Sequence, residues 1–151
     1  MKLQFIRRMS ISDLDEVVPL DLAVFQNTDW SFDYFEECLK TPETSCWIIE
    51  EIDENCSSLI AFCVQRSLNG ETHLLNICVD PHWQGIGIGQ KLLQHVINHA
   101  THLGDRSVKL EVRVDNDRAK NLYRKFGFFT VGHILKYYAD GMDALVMRLY
   151  L

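Results

Sequence analysis

Three glycines in five residues stand where a strand-like segment passes into a helix-like segment. Residues 74–89 read LLNICVDPHWQGIGIG, and the glycines are Gly85, Gly87 and Gly89. Glycine lets a ligand approach the backbone closely, and the free N–H groups and dipole at a helix start favour phosphate. The pattern therefore indicates a phosphate-binding turn, although a tight turn without any ligand could use the same glycines.

Two common phosphate-binding motifs fit this turn poorly. A P-loop requires lysine directly after its last glycine, whereas Gly89 is followed by Gln90. The dinucleotide fingerprint requires G-x-G-x-x-G and an acidic residue at the end of a following strand. Glu111 lies at about that distance, but it falls inside its predicted strand and the glycine spacing differs. Neither a P-loop nor a dinucleotide-binding turn is therefore indicated.

The cysteines and histidines form no recognisable disulfide or metal pattern. The five cysteines are an odd number without a C-x-x-C pair, and we expect Cys63 and Cys78 in the core. His95, His99 and His102 lie on one flank of a predicted helix, but that helix carries no cysteine or carboxylate to complete a site. We therefore predict no metal site and a solvated flank at these histidines.

The elements that hold the glycine turn follow from hydrophobic periodicity and turn residues. Ser12, Ser31 and Asp115 are expected to cap helices, and Asn69-Gly70 to form a hairpin turn. The predicted strands are 3–8, 45–50, 59–66, 72–79, 107–114, 128–138 and 144–150, and the helices are 12–25, 32–40, 90–103 and 115–126. This order predicts an α/β (α+β) fold whose mixed, mostly antiparallel sheet of about seven strands has helices on both faces.

Length and composition fit one ordinary domain. The chain has 151 residues, of which 47% are apolar and 24% charged. It has no apolar run long enough for a transmembrane helix, and its start lacks a signal-peptide core. We therefore expect a single cytoplasmic domain over residues 1–151 with no membrane partner.

The charge is divided unevenly along the chain. Residues 1–80 hold 5 Lys/Arg against 15 Asp/Glu, whereas residues 81–151 hold 10 against 6. This division suggests an anionic ligand for the second half and a cationic partner near the first, although solvated surface charges would give the same counts. An acidic pI without a basic, aromatic-rich stripe argues against nucleic-acid binding.

Motifs along nearly the whole chain resemble one superfamily. Gln84-x-x-Gly87-x-Gly89 resembles the [RQ]-x-x-G-x-[GA] turn of the GNAT superfamily of acetyl-CoA-dependent N-acetyltransferases. Further motifs resemble the RimI-like branch of this superfamily, the peptide-alanine N-acetyltransferases. They are LEVR at 110–113, Asn116, LY at 122–123, GF at 127–128, YY at 137–138, DALVM at 143–147 and WS at 30–31. The resemblance implies a GNAT fold and acetyl-CoA as cosubstrate.

The resemblance also implies how acetyl-CoA is held. The strand before the glycine turn splays from the next one, and the pantetheine fills the gap like an additional strand. The backbones of Ile77, Cys78 and Val79 would bind the pantetheine and acetyl group, and Asn116 would touch the pantetheine. The pyrophosphate would lie on successive amides of Gln84, Gly85, Ile86, Gly87, Ile88, Gly89 and Gln90.

For catalysis, the resemblance implies Glu111 as general base and Tyr123 as general acid toward the departing thiolate. The alternatives are a polar strand residue for Glu111, a core tyrosine for Tyr123 and an ordinary first-turn asparagine for Asn116. An α-amino group has a pKa of about 7.7–8.0 against about 10.4 for lysine, so a modest base is sufficient for an N-terminal amine.

The acceptor is less well defined. Phe25, Trp30 and Tyr138 are candidates for the acceptor site, although each could simply pack. Asp29 stands where the branch often has proline, and Ala139-Asp140-Gly141 makes a shorter turn without the usual proline. The preferred acceptor is a protein N-terminal amine, and the acidic first half would suit a basic peptide. The alternatives are a small amine such as a polyamine or aminoglycoside, or a non-catalytic acyl-CoA-binding regulator.

Overall fold

A computed structural model describes residues 2–26 and 28–151. Seven strands form one sheet in the order β1-β2-β3-β4-β5-β7-β6, in which only β4 and β5 are parallel. The strands are β1 (Leu3–Arg8), β2 (Thr44–Ile52), β3 (Ser57–Leu68), β4 (Glu71–Val79), β5 (Ser107–Arg113), β6 (Phe129–Ile134) and β7 (Ala144–Tyr150). The helices are α1 (Leu14–Val24), α2 (Phe32–Lys40), α3 (Ile88–His102) and α4 (Asp117–Lys125). The predicted fold class and element order are confirmed.

Helices cover both faces of the sheet, and each face has its own apolar core. One core joins α3 and α4 to the sheet through residues such as Leu92, Val96 and Leu110. The other joins α1 and α2 to β2, β3 and β4 through Phe35, Phe62 and buried cysteines. Cys63 and Cys78 are 0% and 1% exposed, so their predicted place in the core is confirmed.

Several local predictions are confirmed by the capping and turn geometry. Ser31 caps α2 by accepting a hydrogen bond from the Tyr34 N–H at 3.2 Å. The β3–β4 hairpin turns at Asn69-Gly70, where both residues have positive φ. Gly127 follows α4 with φ +98°, a conformation that suits glycine after a helix.

Three boundary predictions are wrong, two at helix caps and one at the end of a strand. Ser10, rather than Ser12, caps the short 3₁₀ turn that leads into α1. Asn116, rather than Asp115, caps α4, since the Asp115 carboxylate pairs with the Arg113 guanidinium at 3.1 Å. β6 ends at Ile134 instead of 138, because Lys136 has φ +51° and its N–H donates to the Asp143 carboxylate.

Candidate active site

A gap opens between β4 and β5 in the middle of the sheet. The parallel ladder joins only Glu71–Leu74 to Ser107–Leu110, after which the two strands part. The register of β3 against β4 shifts at the same level, leaving Leu75 as an extra residue in β4. A bulge bends its strand and ends local pairing, so backbone donors and acceptors are left along the gap. Ile77, Cys78 and Val79 lie on this edge of β4.

The glycine turn follows β4 after a short 3₁₀ turn at Pro81–Trp83. Gly85 and Gly87 have φ of +82° and +91°, a conformation that L side chains rarely adopt. Gly87 is the residue before α3, and the helix carries no acidic residue in its first turn. The first N–H groups of α3, on Ile88, Gly89 and Gln90, have no partner within the helix. They form a cluster of donors at the positive end of the helix dipole, which suits a phosphate.

Arg118 on α4 adds a cation to the glycine turn, and the sequence analysis did not identify it. Its Nη1 donates to the Gln84 Oε1 at 3.0 Å, while the Gln84 Nε2 donates to the Val79 carbonyl at 3.1 Å. Gln84 therefore ties the turn to both β4 and α4. A Cβ atom on Gly85 would lie 3.1 Å from Arg118 Nη2. Arg118 is two residues after Asn116 in the sequence, but it faces the glycine turn only once α4 is folded. Its spacing along the chain therefore did not identify it.

Asn116 has a structural function in addition to its predicted one. Its Oδ1 accepts a hydrogen bond from the Ala119 N–H at 3.1 Å and so caps α4. The cap commits the oxygen of the carboxamide, while the amide nitrogen remains a donor near the start of α4. This position is beside the residues that follow β5, where the gap opens.

Glu111 lies on the sheet face opposite α3 and is hydrogen-bonded to a histidine. Its Oε2 lies 2.6 Å and its Oε1 3.0 Å from His73 Nε2 across the β4–β5 boundary. The Tyr137 hydroxyl donates to Oε1 at 3.4 Å. The Glu111 side chain is 15% exposed, so it remains reachable. The sequence analysis did not identify His73 or Tyr137 as partners of this carboxylate.

Tyr123 approaches the sheet from the other face. It is 5% exposed, belongs to the core beneath α3 and α4, and packs against Phe128 with ring centroids 5.8 Å apart. Burial raises the pKa of its hydroxyl, so the phenol stays protonated at neutral pH. A carboxylate and a protonated phenol are thus placed on opposite faces of the sheet.

The predicted acceptor residues lie in two different settings. Phe25 and Trp30 are partly buried against the α1–α2 core, and the Trp30 ring packs 4.6 Å from Tyr34 and 4.9 Å from Phe35. Tyr138 lies beneath the Arg113 guanidinium, 5.1 Å from it, and burial raises the pKa of its hydroxyl to about 12. Its neighbour Tyr137, rather than Tyr138, reaches Glu111.

The flank of α3 is not the solvated surface that the sequence suggested. His95 and His99 pack on the Trp47 ring with centroids 4.2 and 5.2 Å away, because that ring is exposed to α3 between β1 and β3. His102 alone of the three is exposed. Within residues 2–26 and 28–151, no group of three metal-ligating side chains converges. No helix in the same part of the chain is both long and apolar enough to cross a membrane.

Comparisons with known proteins agree with this architecture. The model of the acetyltransferase (GNAT) family matches residues 12–128. A putative ribosomal protein bS18-alanine N-acetyltransferase of Bacillus subtilis is 30% identical, covering 94% of this chain and 92% of that protein. An N-alpha-acetyltransferase of Sulfurisphaera tokodaii is 31% identical, covering 94% and 90%. The crystal structure of the ribosomal-protein-S18-alanine N-acetyltransferase of Escherichia coli superposes with a TM-score of 0.82 at 27% identity, covering 98% and 94%.

Proposed function

The chain belongs to the GNAT acetyltransferase family, and we propose that it acetylates the α-amino group of protein N-termini with acetyl-CoA. Its relatives are named N-acetyltransferases, so it is an acetyl-CoA-dependent N-acetyltransferase rather than a non-catalytic regulator. The observation that carries the proposal is the β4–β5 gap, with Glu111 and His73 on one face and Tyr123 on the other. We further propose that residues 1–151 act as one domain.

The donor side of the gap fits acetyl-CoA. The unpaired edge of β4 at Ile77–Val79 offers backbone groups to an amide-containing chain such as pantetheine. The turn 84–90 offers N–H groups to the pyrophosphate, and Arg118 adds a positive charge. The Asn116 amide nitrogen adds a donor at the start of α4. When bound, acetyl-CoA supplies a thioester that an unprotonated amine can attack.

Glu111 is the base in this proposal. A carboxylate held by His73 at 2.6 Å and by Tyr137 at 3.4 Å keeps one orientation toward the gap. It accepts the proton that the incoming ammonium must lose, directly or through a water molecule. Since an α-amine needs only about 1 kcal/mol to deprotonate at neutral pH, against about 4–5 kcal/mol for lysine, this modest base favours N-termini.

Tyr123 is the acid in this proposal. Its raised pKa keeps a proton on the hydroxyl, and its position beneath α3 and α4 is on the donor side. It can therefore protonate the sulfur that leaves with CoA, while Glu111 serves the amine on the opposite face.

The test is thiol release from acetyl-CoA with a panel of acceptors. The panel contains peptides that begin with alanine, serine or methionine, N-terminally blocked lysine peptides, spermine and an aminoglycoside. We expect turnover with free α-amines and much slower turnover with lysine side chains. Turnover restricted to spermine or the aminoglycoside would contradict the proposal and favour a small-amine acetyltransferase.

A further inference from the structure

We propose that the acceptor site selects N-termini with an acidic side chain at the second or third residue, which Arg66 and Lys109 bind. This inference rests on the proposed function and specifies its acceptor. It follows from the charges on the acceptor floor, the sheet face that carries Glu111. The acceptor floor comprises Arg66, Glu71, His73, Lys109, Glu111 and Arg148.

Sheet register places two cations beside His73 on the acceptor floor. His73 pairs with Arg66 on β3 and with Lys109 on β5, and paired residues point to the same face. Neighbouring strands are about 4.8 Å apart, so the backbones of both cationic residues flank that of His73 at this distance. His73 itself contacts Glu111. Lys109 therefore lies on the same strand as Glu111, two residues before it, and Arg66 lies two strands away from Glu111.

Arg66 and Lys109 are less closely paired than their neighbours, although Lys109 lies near enough to Glu71 to favour its ionised form. Arg148 pairs with Glu71 at 2.8 Å, and Arg113, farther along β5, pairs with Asp140 at 2.8 Å. Across the described ranges 2–26 and 28–151, neither Arg66 nor Lys109 forms an ion pair within 4 Å. The Arg66 Nε is fully buried without a hydrogen-bond acceptor. A buried donor without an acceptor is costly, so the Arg66 guanidinium is held in an environment that favours pairing with an anion.

The acceptor floor is open to a ligand over β5 and β7, and Arg66 lies half-buried at its border with the helices. α1 and α2 pack on β2, β3 and β4, so the part of this face that belongs to β5 and β7 is not under their cores. Tyr34 and Tyr137 border it and are 42% and 47% exposed. An extended peptide advances about 3.3 Å per residue. With the first residue at Glu111, the second and third residues reach the level of the two cations.

Negative charges of the protein near the acceptor floor compete only weakly with an acidic acceptor for Arg66 and Lys109. Glu71 is already paired with Arg148, and the Glu111 carboxylate is committed to His73 and Tyr137. Glu37 on α2 is exposed, so water and salt screen its charge. The acidic first half of the chain suggested a basic peptide, but charge at the half-buried Arg66 acts at shorter range and in a lower dielectric. The local charge therefore favours an acidic acceptor.

The test compares three peptides that differ only at positions two and three: Ala-Glu-Glu, Ala-Gln-Gln and Ala-Lys-Lys, each followed by the same neutral sequence. We expect kcat/KM to be about tenfold higher for the Glu peptide than for the Gln peptide, and lowest for the Lys peptide. The ratio should shrink as ionic strength rises. Equal values for the three peptides, or preference for lysine, would overturn the inference while leaving α-amine acetylation intact.

Variants assign the selectivity to Arg66. In R66Q the Glu/Gln ratio should fall toward one, in R66K it should be retained, and in R66E the Lys peptide should become preferred. A smaller fall is expected in K109Q. The control is R106Q, since Arg106 is an exposed cation at the Gly70 turn, and its ratio should match the parent. An unchanged ratio in R66Q would overturn the inference. Turnover of spermine without any peptide turnover would overturn both proposals.

Discussion

In the proposed site, the donor side and the acceptor side of the gap are built from different parts of the chain. The donor side uses backbone groups of one continuous segment, from Ile77 through the glycine turn to the start of α3. The acceptor side uses side chains from β3, β4, β5 and the β6–β7 loop, which only the sheet register brings together. A backbone site depends mainly on conformation, at Gly85 and Gly87 above all, whereas a side-chain site can change its ligand by single substitutions.

The largest expected effect falls on the acceptor side. E111Q should lower kcat by about 100-fold or more at pH 7, because the amine loses its base. The deficit should narrow toward pH 9, where α-amines with a pKa of about 8 are already unprotonated. Calorimetry should show acetyl-CoA affinity close to that of the parent. A loss of affinity as large as the loss of kcat would contradict the division into two sides.

The next effect tests the assignment of Tyr123. Y123F should lower kcat by about tenfold or more without changing KM for the peptide, since only the proton donor is removed. The ring still fills its place against Phe128, so the melting temperature should change little. Parent-like turnover in this variant would show that the tyrosine only packs.

A matched pair of glycine substitutions tests the donor side. G87A should raise KM for acetyl-CoA by about tenfold, because alanine strains a backbone with φ +91° at the start of α3. Gly104 has φ +81°, and at both positions a Cβ would meet no atom within 4 Å. G104A therefore imposes similar strain far from the turn, and it should destabilise the protein without raising that KM. Equal KM in the two variants would argue against phosphate binding at the turn.

A smaller effect is expected from the cation that sequence reasoning missed. R118A should raise KM for acetyl-CoA a few-fold, and the increase should be smaller at high salt. Arg124 lies on the same helix and is also exposed, so R124A serves as the control. A similar change in both variants would point to general surface charge rather than to a phosphate contact.

The smallest effect concerns the helix beside the acceptor side. Asp21 is 0% exposed, and burial raises the pKa of its carboxyl despite hydrogen bonds from Asn76 and Thr28. The folded state then binds more protons at this group than the unfolded chain does. Its contribution to stability falls as pH rises from about 4 through the raised pKa. In thermal denaturation, D21N should gain melting temperature relative to the parent between pH 5 and 7.5; a constant difference would contradict this.

What could be predicted from the sequence follows the same division. The proposed donor site could be predicted from the sequence, because the glycines between β4 and α3 are close together along the chain. His73 and Tyr137 stand 38 and 26 residues from Glu111, and no local pattern indicates that they meet. The packing of His95 on Trp47 was missed for the same reason, since the two residues are far apart along the chain. The cap at Asn116 is instead a local contact with Ala119, and Asp115 and Asn116 are both residue types that favour this position.

The bulge at Leu75 leaves the middle of the sheet short of one hydrogen-bonded neighbour. A ligand that completes this ladder binds only the folded chain, so it shifts the folding equilibrium by mass action. At a concentration 100 times its Kd, such a ligand adds about 2.7 kcal/mol to the free energy of unfolding. Amide protons of β4 and β5 should then exchange more slowly with solvent. The stability of the folded enzyme should therefore rise with the concentration of its acetyl donor.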